Sequence, residues 1–366
     1  MKSCIKIMQD GMQNREKVYD WVRLIATIFV VIGHSAYLKI HTAHGGVDYI
    51  LPTNISPVYN SQFLVYLRFL SGWVYSFHMP LFFMLSGAVL ALKPLGLFDK
   101  VVRSKIKRLL IPYFVFAWIF MLPVKWLGNF YDNKSFFAAM KGVLSGSDSG
   151  HLWFLTALFW CILIFVIIKK VLENYNTNSC YGLLLLCGLI QLSVEYVPFD
   201  ILGLKKGIEY IFFFALGYVF QVERYSQNDW NMKKTMVGLI FFIALEILHR
   251  KYWIINKFFL IIIGSFLSFL LADMCNRMFP KMFEKDIFKI VIRNLFYVYI
   301  FHDPMEYIVL RFYMEHGLLA SDFGCVTYTF CRIVGVFVIS IFLGECVERL
   351  KSIFCNILRD RKNMNT

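Results

Sequence analysis

Histidine is the side chain whose ordinary pKa stands near neutrality, so a histidine held in apolar surroundings can take a proton from a hydroxyl and return it. His34, His78 and His302 stand inside long apolar runs and His151 opens another. His34 lies eleven residues after Arg23, which on a helix is three turns with about 20° of drift and roughly 16 Å of rise, so the two share a face. Thr27 falls on that face, and Asp20 stands about 40° from His34. A polar stripe therefore runs along an otherwise apolar helix. His78 sits in Ser76-Phe77-His78-Met79-Pro80. Pro80 removes a backbone donor and frees the carbonyl of Ser76, a break tolerated at membrane depth where it lines protein or a watery cavity. His302 also stands two residues before a proline, in Tyr299-Ile300-Phe301-His302-Asp303-Pro304-Met305-Glu306.

Asp303 as a cap with Pro304 at the first helical position makes a helix start, so a break is expected there. Either Asp303 or Glu306 can orient an imidazole, and Glu306 and Tyr299 share the His302 face. His151 opens His151-Leu152-Trp153-Phe154-Leu155 at an interface, where it can meet a polar acceptor; Trp153 belongs at an interface in any case. The plain alternative for His78 and His302 is a polar contact between helices without chemistry. His41 and His44 have i, i+3 spacing, but two ligands do not make a metal site, and no metal is expected. His249 and His316 read as interfacial. Arg332, Glu195, Glu209 and Glu246 pair with one another or with a substrate, and the pattern does not choose.

These residues must be positioned by membrane-spanning helices. Hydrophobic residues make up 58% of the 366 and aromatics 18%, with a mean hydropathy of +0.60, more apolar surface than a soluble core of this length needs. A helix needs roughly 20 residues to cross the hydrocarbon. Runs of that kind fall near 21–38, 69–92, 109–127, 152–172, 181–198, 207–222, 235–250, 257–275, 291–313 and 325–345, of which the fifth and sixth are short enough to be a re-entrant pair. The expected fold is all-α: one polytopic transmembrane helical bundle over 1–366, with about ten spans and cytoplasmic tails at 1–18 and 351–366. With the N-terminus inside, most Lys and Arg fall on inner segments, as the positive-inside rule requires. The net charge of +14 is then a topology signal, and no basic soluble domain exists to bind nucleic acid.

The first 20 residues lack a signal-peptide pattern, so the first span is expected to stay in the mature protein. The nine cysteines are scattered with no C-x-x-C pair, which argues for neither a disulfide framework nor zinc. Two longer outer loops, Lys39–Arg68 and Lys125–Gly150, either shape an outward-opening site or merely connect; the second ends in a run, Ser145–Gly150, that reads as flexible. No appended soluble domain is expected after the last span. The inner loop holding Lys100, Arg103, Lys105, Lys107 and Arg108 serves either as a membrane anchor or as a cradle for a polyanionic cofactor, because clustered Arg and Lys bind phosphates.

Arg23-x10-His34, Phe77–Gly87 (Phe-His-Met-Pro-Leu-Phe-Phe with Ser86-Gly87), His151–Leu155 and Tyr299–Pro304, in that order, resemble the acyltransferase-3 family of bacterial membrane-bound O-acyltransferases. The resemblance covers essentially the whole chain, and its second motif is most similar to the branch related to fucose 4-O-acetylases. It implies acetyl-CoA as donor on the cytoplasmic side and a sugar hydroxyl as acceptor, on a cell-envelope or surface glycan or its lipid-linked precursor, with the protein a multi-pass component of the cell membrane. On that resemblance His34 is the general base or a transient acyl carrier. Arg23 stabilises developing negative charge or holds the cofactor. Lys105, Arg108 and Arg103 contact the CoA phosphates, and His78, His151, Trp153, His302, Asp303 and Glu306 position the acceptor or partner His34. The family's Arg-x-x-Arg before the third span appears here as Lys105-Ile106-Lys107-Arg108, where Lys keeps the charge but loses the bidentate fork. The rival reading is a transporter or flippase for a lipid-linked sugar, since broken helices with polar groups at depth occur there too; the absence of an inverted repeat counts against it. A third possibility is the same chemistry with another acyl group such as succinyl.

Overall fold

The computed structural model describes residues 2–36, 62–128, 134–174, 180–223, 240 and 257–364, and among them every regular element is helical. Among the described residues six helical stretches are long and apolar enough to cross a membrane: Glu16–Ser35, Gln62–Leu90, Phe98–Leu127, Phe136–Glu173, Phe258–Met278 and Asp322–Ile353. Cys180–Tyr196 and Ile211–Glu223 are apolar but shorter. The expected run at 291–313 lies in α13 (Asp286–Glu315), 30 residues long. It is not among the apolar six, and it carries Arg293, Asp303, Glu306 and Arg311. The expected run 235–250 lies outside the described residues apart from Ile240, as do His41, His44, Glu246 and His249.

α1 (Lys2–Ser35) ends one residue past His34. The second span is two helices rather than one, α2 (Gln62–Tyr75) and α3 (His78–Leu90). The first of these begins inside the expected loop Lys39–Arg68. Pro80 lies in the first turn of α3, where a missing N–H leaves no helical bond unmade. The chain therefore breaks at Ser76-Phe77 and starts afresh, which lets His78 open a helix instead of lying in the middle of one.

The third span bends through α4 (Phe98–Lys105), a π turn (Ile106–Leu110), α5 (Ile111–Phe116), a second π turn (Ala117–Met121) and α6 (Leu122–Leu127). Each π turn closes with an i→i−5 bond, from Ile111 to Ile106 and from Leu122 to Ala117, one residue before Pro112 or Pro123. A proline has no N–H for the i→i−4 bond, so the preceding turn widens by a residue and the helix beyond is rotated.

The expected loop Lys125–Gly150 is largely structured. α7 (Phe136–Ser145) is capped by Ser135, whose Oγ accepts from the Ala138 N–H at 3.3 Å, and it ends at Gly146 with φ +91°. The run expected to be flexible is tied down: the Asp148 N–H donates to the Gly142 carbonyl at 3.2 Å, and the Asp148 carboxylate is buried against Lys134. Beyond it come α8 (Trp153–Asn174), α9 (Cys180–Leu192), α10 (Leu204–Glu209), α11 (Ile211–Glu223), α12 (Lys257–Met278), α14 (Asp322–Phe330) and α15 (Val336–Met364).

α3 and α11 touch backbone to backbone. A Cβ on Gly87 would lie 1.9 Å from the Phe214 carbonyl oxygen, and one on Gly217 would lie 1.8 Å from that of Met84. Small residues at helix crossings are how helices in lipid gain contact, since burial from water offers little drive there. One buried cluster joins α1, α3, α12 and the start of α13; a second joins the third span, α8, α9, α11 and the middle of α13. The cavity described next lies where the two meet.

Candidate active site

α1 ends inside the protein, so its last carbonyls need partners that water would otherwise supply. Ser71 Oγ donates to the Gly33 carbonyl at 2.7 Å. Arg332 donates to the His34 carbonyl at 2.9 Å and the Ser35 carbonyl at 2.7 Å. The same guanidinium pairs with Glu306 at 2.9 Å and bonds the Tyr328 hydroxyl. A buried cation here completes the helix end and favours its negative pole. It also fixes the backbone of His34, and it lies in a third π turn, Cys331–Gly335.

Asp303 is the hub. Its Oδ1 lies 3.2 Å from His34 Nδ1, and its Oδ2 lies 3.1 Å from His151 Nδ1 and 2.7 Å from Lys125 Nζ. The carboxylate can only accept, so a neutral His34 that donates to it carries its proton on Nδ1 and its basic lone pair on Nε2. His151 Nε2 donates to the Ile300 carbonyl at 2.8 Å. That carbonyl is the one Pro304 cannot bond, so α13 runs unbroken through Pro304 and the expected break does not occur. The freed acceptor is taken by a side chain from another helix, which is how prolines are accommodated in membrane helices. The Tyr299 hydroxyl returns a bond to the His151 carbonyl at 2.6 Å.

His302 Nδ1 faces two carbonyls, Tyr299 at 2.8 Å and Val298 at 3.1 Å. It must donate, which leaves Nε2 as the acceptor, buried and without a hydrogen-bond partner among the described residues. The His302 ring stands 5.0 Å from that of His34 and 5.4 Å from that of His151. His78 Nδ1 faces the Val74 carbonyl at 3.2 Å, which also accepts the Phe77 N–H where α2 ends, and its ring lies 4.6 Å from Tyr75. All four histidines line one cavity of about 420 Å³, with Trp153, Tyr299 and Tyr210 among the other walls. Two imidazoles with defined lone pairs, one backed by a buried carboxylate, make a site for proton transfer from a hydroxyl or another weak acid.

The structure thus brings His34, His78, His151, Trp153 and His302 to the cavity wall, with Asp303 behind His34 and His151 and Glu306 one turn further along α13. Glu306 orients no imidazole; it holds Arg332. Arg23 is not brought in. It pairs with Asp20 at 3.0 Å, three turns away. Arg103 and Arg108 are exposed and Lys105 half-buried at the start of the third span. Lys125 ends that span against Asp303, so Arg108 lies seventeen residues back, roughly 25 Å along the helix. Of the other acids considered, Glu195 is exposed and Glu209 pairs with Lys206 at 2.7 Å.

Lys125 is the residue that sequence reasoning missed, by assigning it to a loop. It is 2% exposed, and its ammonium also lies 5.0 Å from the Tyr307 ring centre. The signal was present: Leu122-Pro123-Val124-Lys125-Trp126-Leu127 places a charge between apolar neighbours, and an ionisable residue so placed is a candidate by default.

Residues 17–345 match the family model described as an acyltransferase domain. The chain is also similar to nodulation protein NolL of Sinorhizobium fredii, 27% identical over 214 residues, covering 57% of this chain and 50% of that protein. With nodulation protein NolL of Mesorhizobium japonicum it is 25% identical over 238 residues, 63% of this chain and 55% of the relative. The chain therefore spans about half the length of these relatives. No solved structure matches it.

Proposed function

The chain belongs to the acyltransferase-3 family, and from that premise we propose that it moves an acetyl group from acetyl-CoA to a hydroxyl of a cell-envelope or surface glycan, or of its lipid-linked precursor. The observation that carries this reading is the buried contact of 3.2 Å between His34 Nδ1 and Asp303, which gives Nε2 the lone pair beside a cavity. The acceptor oxygen attacks the thioester carbonyl carbon while its proton passes to His34 Nε2. The new C–O bond forms, the C–S bond breaks, and the proton returns from His34 to the departing thiolate. Asp303 holds the ring in the required tautomer and stabilises the imidazolium, and Lys125 pairs with the Asp303 carboxylate at 2.7 Å.

In this reading the chain crosses the cytoplasmic membrane about ten times, with both termini inside. The donor's phosphates meet Arg103, Lys105 and Arg108, none of which is paired with a carboxylate among the described residues. The donor then extends along the face of α1 that carries Arg23, so cofactor holding is the role retained for Arg23. His78, His151, His302 and Trp153 position the acceptor.

The test uses the purified full chain in lipid nanodiscs with acetyl-labelled CoA. The expected result is acetyl transfer to a glycan acceptor, lowered by about 10²–10⁴ in His34→Ala at equal protein level. Unchanged transfer in that variant removes His34 as base. An absence of specific CoA binding and of any acetylated product favours the transporter reading, and preference for succinyl-CoA replaces the acyl group.

A further inference from the structure

When a hydroxyl oxygen attacks a thioester, the carbonyl oxygen becomes an anion, and donors fixed in advance around it lower the barrier. The residues lining the cavity include no Lys or Arg to meet that charge. Lys125 is turned to Asp303, and Arg332 to Glu306 and the end of α1. Neutral donors must serve instead, and the start of α3 supplies two. α3 (His78–Leu90) begins at the break in the second span, where Tyr75, Ser76, His78, Met79 and Pro80 all line the cavity. Its first bond runs from the Leu81 N–H to the Phe77 carbonyl at 2.9 Å. Of the residues between, Pro80 has no N–H, and the N–H groups of His78 and Met79 donate to no partner among the described residues. The N-cap is Phe77, a buried ring with no oxygen to offer them.

Two adjacent N–H groups at the positive end of a 13-residue helix are suited to hold an anionic oxygen. They are also held rigidly, because Gly87 and Gly217 seat α3 on α11 backbone to backbone. A second group on the same cavity calls for a ligand independently. His302 Nε2 is an acceptor on a side chain that is 0% exposed, it lines the cavity, and it has no hydrogen-bond partner among the described residues. A buried acceptor without a donor is costly, and the hydroxyl of a bound acceptor would supply one. His34 stands between the two features. Its ring is 5.0 Å from that of His302 and 5.8 Å from that of Tyr75, which in turn lies 4.6 Å from His78. A hydroxyl-binding nitrogen, a base and a pair of anion donors thus follow one another around one cavity.

We propose that the backbone N–H groups of His78 and Met79 form the oxyanion hole of the transfer reaction. The acetyl carbonyl oxygen sits on these two donors. As the acceptor oxygen bonds to the carbonyl carbon, the carbonyl π pair moves onto that oxygen and the acceptor proton passes to His34 Nε2. Return of the pair breaks the C–S bond, and the thiolate leaves with the proton from His34. This rests on the acyltransfer reading above and adds to it the groups that hold the developing charge.

The full chain in nanodiscs is assayed with acetyl-CoA and with its dithioester analogue, in which sulfur, a weak acceptor, replaces the carbonyl oxygen. Met79→Pro deletes one donor in the first helical turn, where proline is tolerated. Met79→Ala removes the same side chain but keeps the N–H, and serves as the reference. The expected kcat of Met79→Pro is about 10²–10³ below that of Met79→Ala, with KM for donor and acceptor within a few-fold and the same unfolding temperature. The unaltered protein should turn over acetyl-CoA at least about tenfold faster than the dithioester, and Met79→Pro should bring that ratio towards one. Equal kcat in Met79→Pro and Met79→Ala overturns the oxyanion hole while acetyl transfer stands. So does equal turnover of the two donors by the unaltered protein, a result that depends on no variant folding. Failure of the unaltered protein to transfer acetyl at all overturns the acyltransfer reading, and the oxyanion hole with it.

Discussion

Two charged contacts hang from the same face of α1, and they differ in almost everything except length. Arg23 meets Asp20 at 3.0 Å with side chains 41% and 27% exposed; His34 meets Asp303 at 3.2 Å with side chains 15% and 6% exposed. The first partner is three residues away in sequence. The second comes from another helix and brings Lys125 and His151 with it. A half-exposed pair of neighbours contributes little to stability, because solvent screens it and long side chains lose entropy in holding it. A buried cluster is different in kind: removing one member leaves the others as uncompensated charges. The stripe on α1 is therefore not one functional unit. Its Arg23 end is half-exposed, whereas its His34 end is locked into the buried cluster around Asp303.

The largest effect should come from Asp303→Asn. Acetyl transfer is expected to fall about 10²–10⁴-fold, and the protein should lose about 3–5 kcal/mol as Lys125 is left buried without its carboxylate. Thermal unfolding in detergent reads the second loss. Pairing it with Lys125→Met should restore the unfolding temperature and leave transfer absent. Recovered transfer in the double variant would mean that Asp303 merely balances charge.

Arg332→Leu is the next test, since it strands Glu306 and the last carbonyls of α1 together. A loss of about 3–5 kcal/mol is expected. Arg332→Lys should keep much of that stability but lower kcat, because an ammonium cannot span Glu306 and two carbonyls as the planar fork does. Equal kcat in Arg332→Lys would show that the position of His34 does not depend on this anchor.

Gly217→Val should force α3 and α11 apart at the crossing, at a cost of about 1–3 kcal/mol for overpacking. The two cavity walls that carry His78 and Tyr210 would separate, so the acceptor KM should rise more than the donor KM. The smallest effect belongs to Arg23→Gln, with stability changed by no more than about 1 kcal/mol. Its KM for acetyl-CoA should rise while kcat at saturating donor stays within a few-fold. A kcat as low as that of His34→Ala would put Arg23 at the reacting atoms and erase the contrast between the two ends.

Much of this was legible in the chain alone, and the reason is local. Spacing on one helix placed Arg23 and His34 on a common face, and the proline two residues after His78 marked the break in the second span. Apolar run lengths gave most of the helices. The run at 69–92 concealed a break, because its residues are apolar on both sides of Ser76-Phe77 and hydropathy does not register a change of direction. Pro304 misled for a related reason. Asp-Pro is a helix start when the orphaned carbonyl has only water to meet, and here His151 meets it.

The sequence by itself determined an apolar helical membrane protein with histidines at depth, since composition and helical periodicity depend on neighbours a few residues apart. Only the tertiary structure decided which acid serves which base. Asp303 and Glu306 lie one turn apart on the same side of α13, equally able by sequence to orient an imidazole. The one meets His34, His151 and Lys125, and the other meets Arg332. That division follows from which helices pack against α13 and from the π turns that rotate Lys125 and Arg332 toward it. Charges in a low-dielectric interior must find a partner, and the partner is chosen by where distant helices cross.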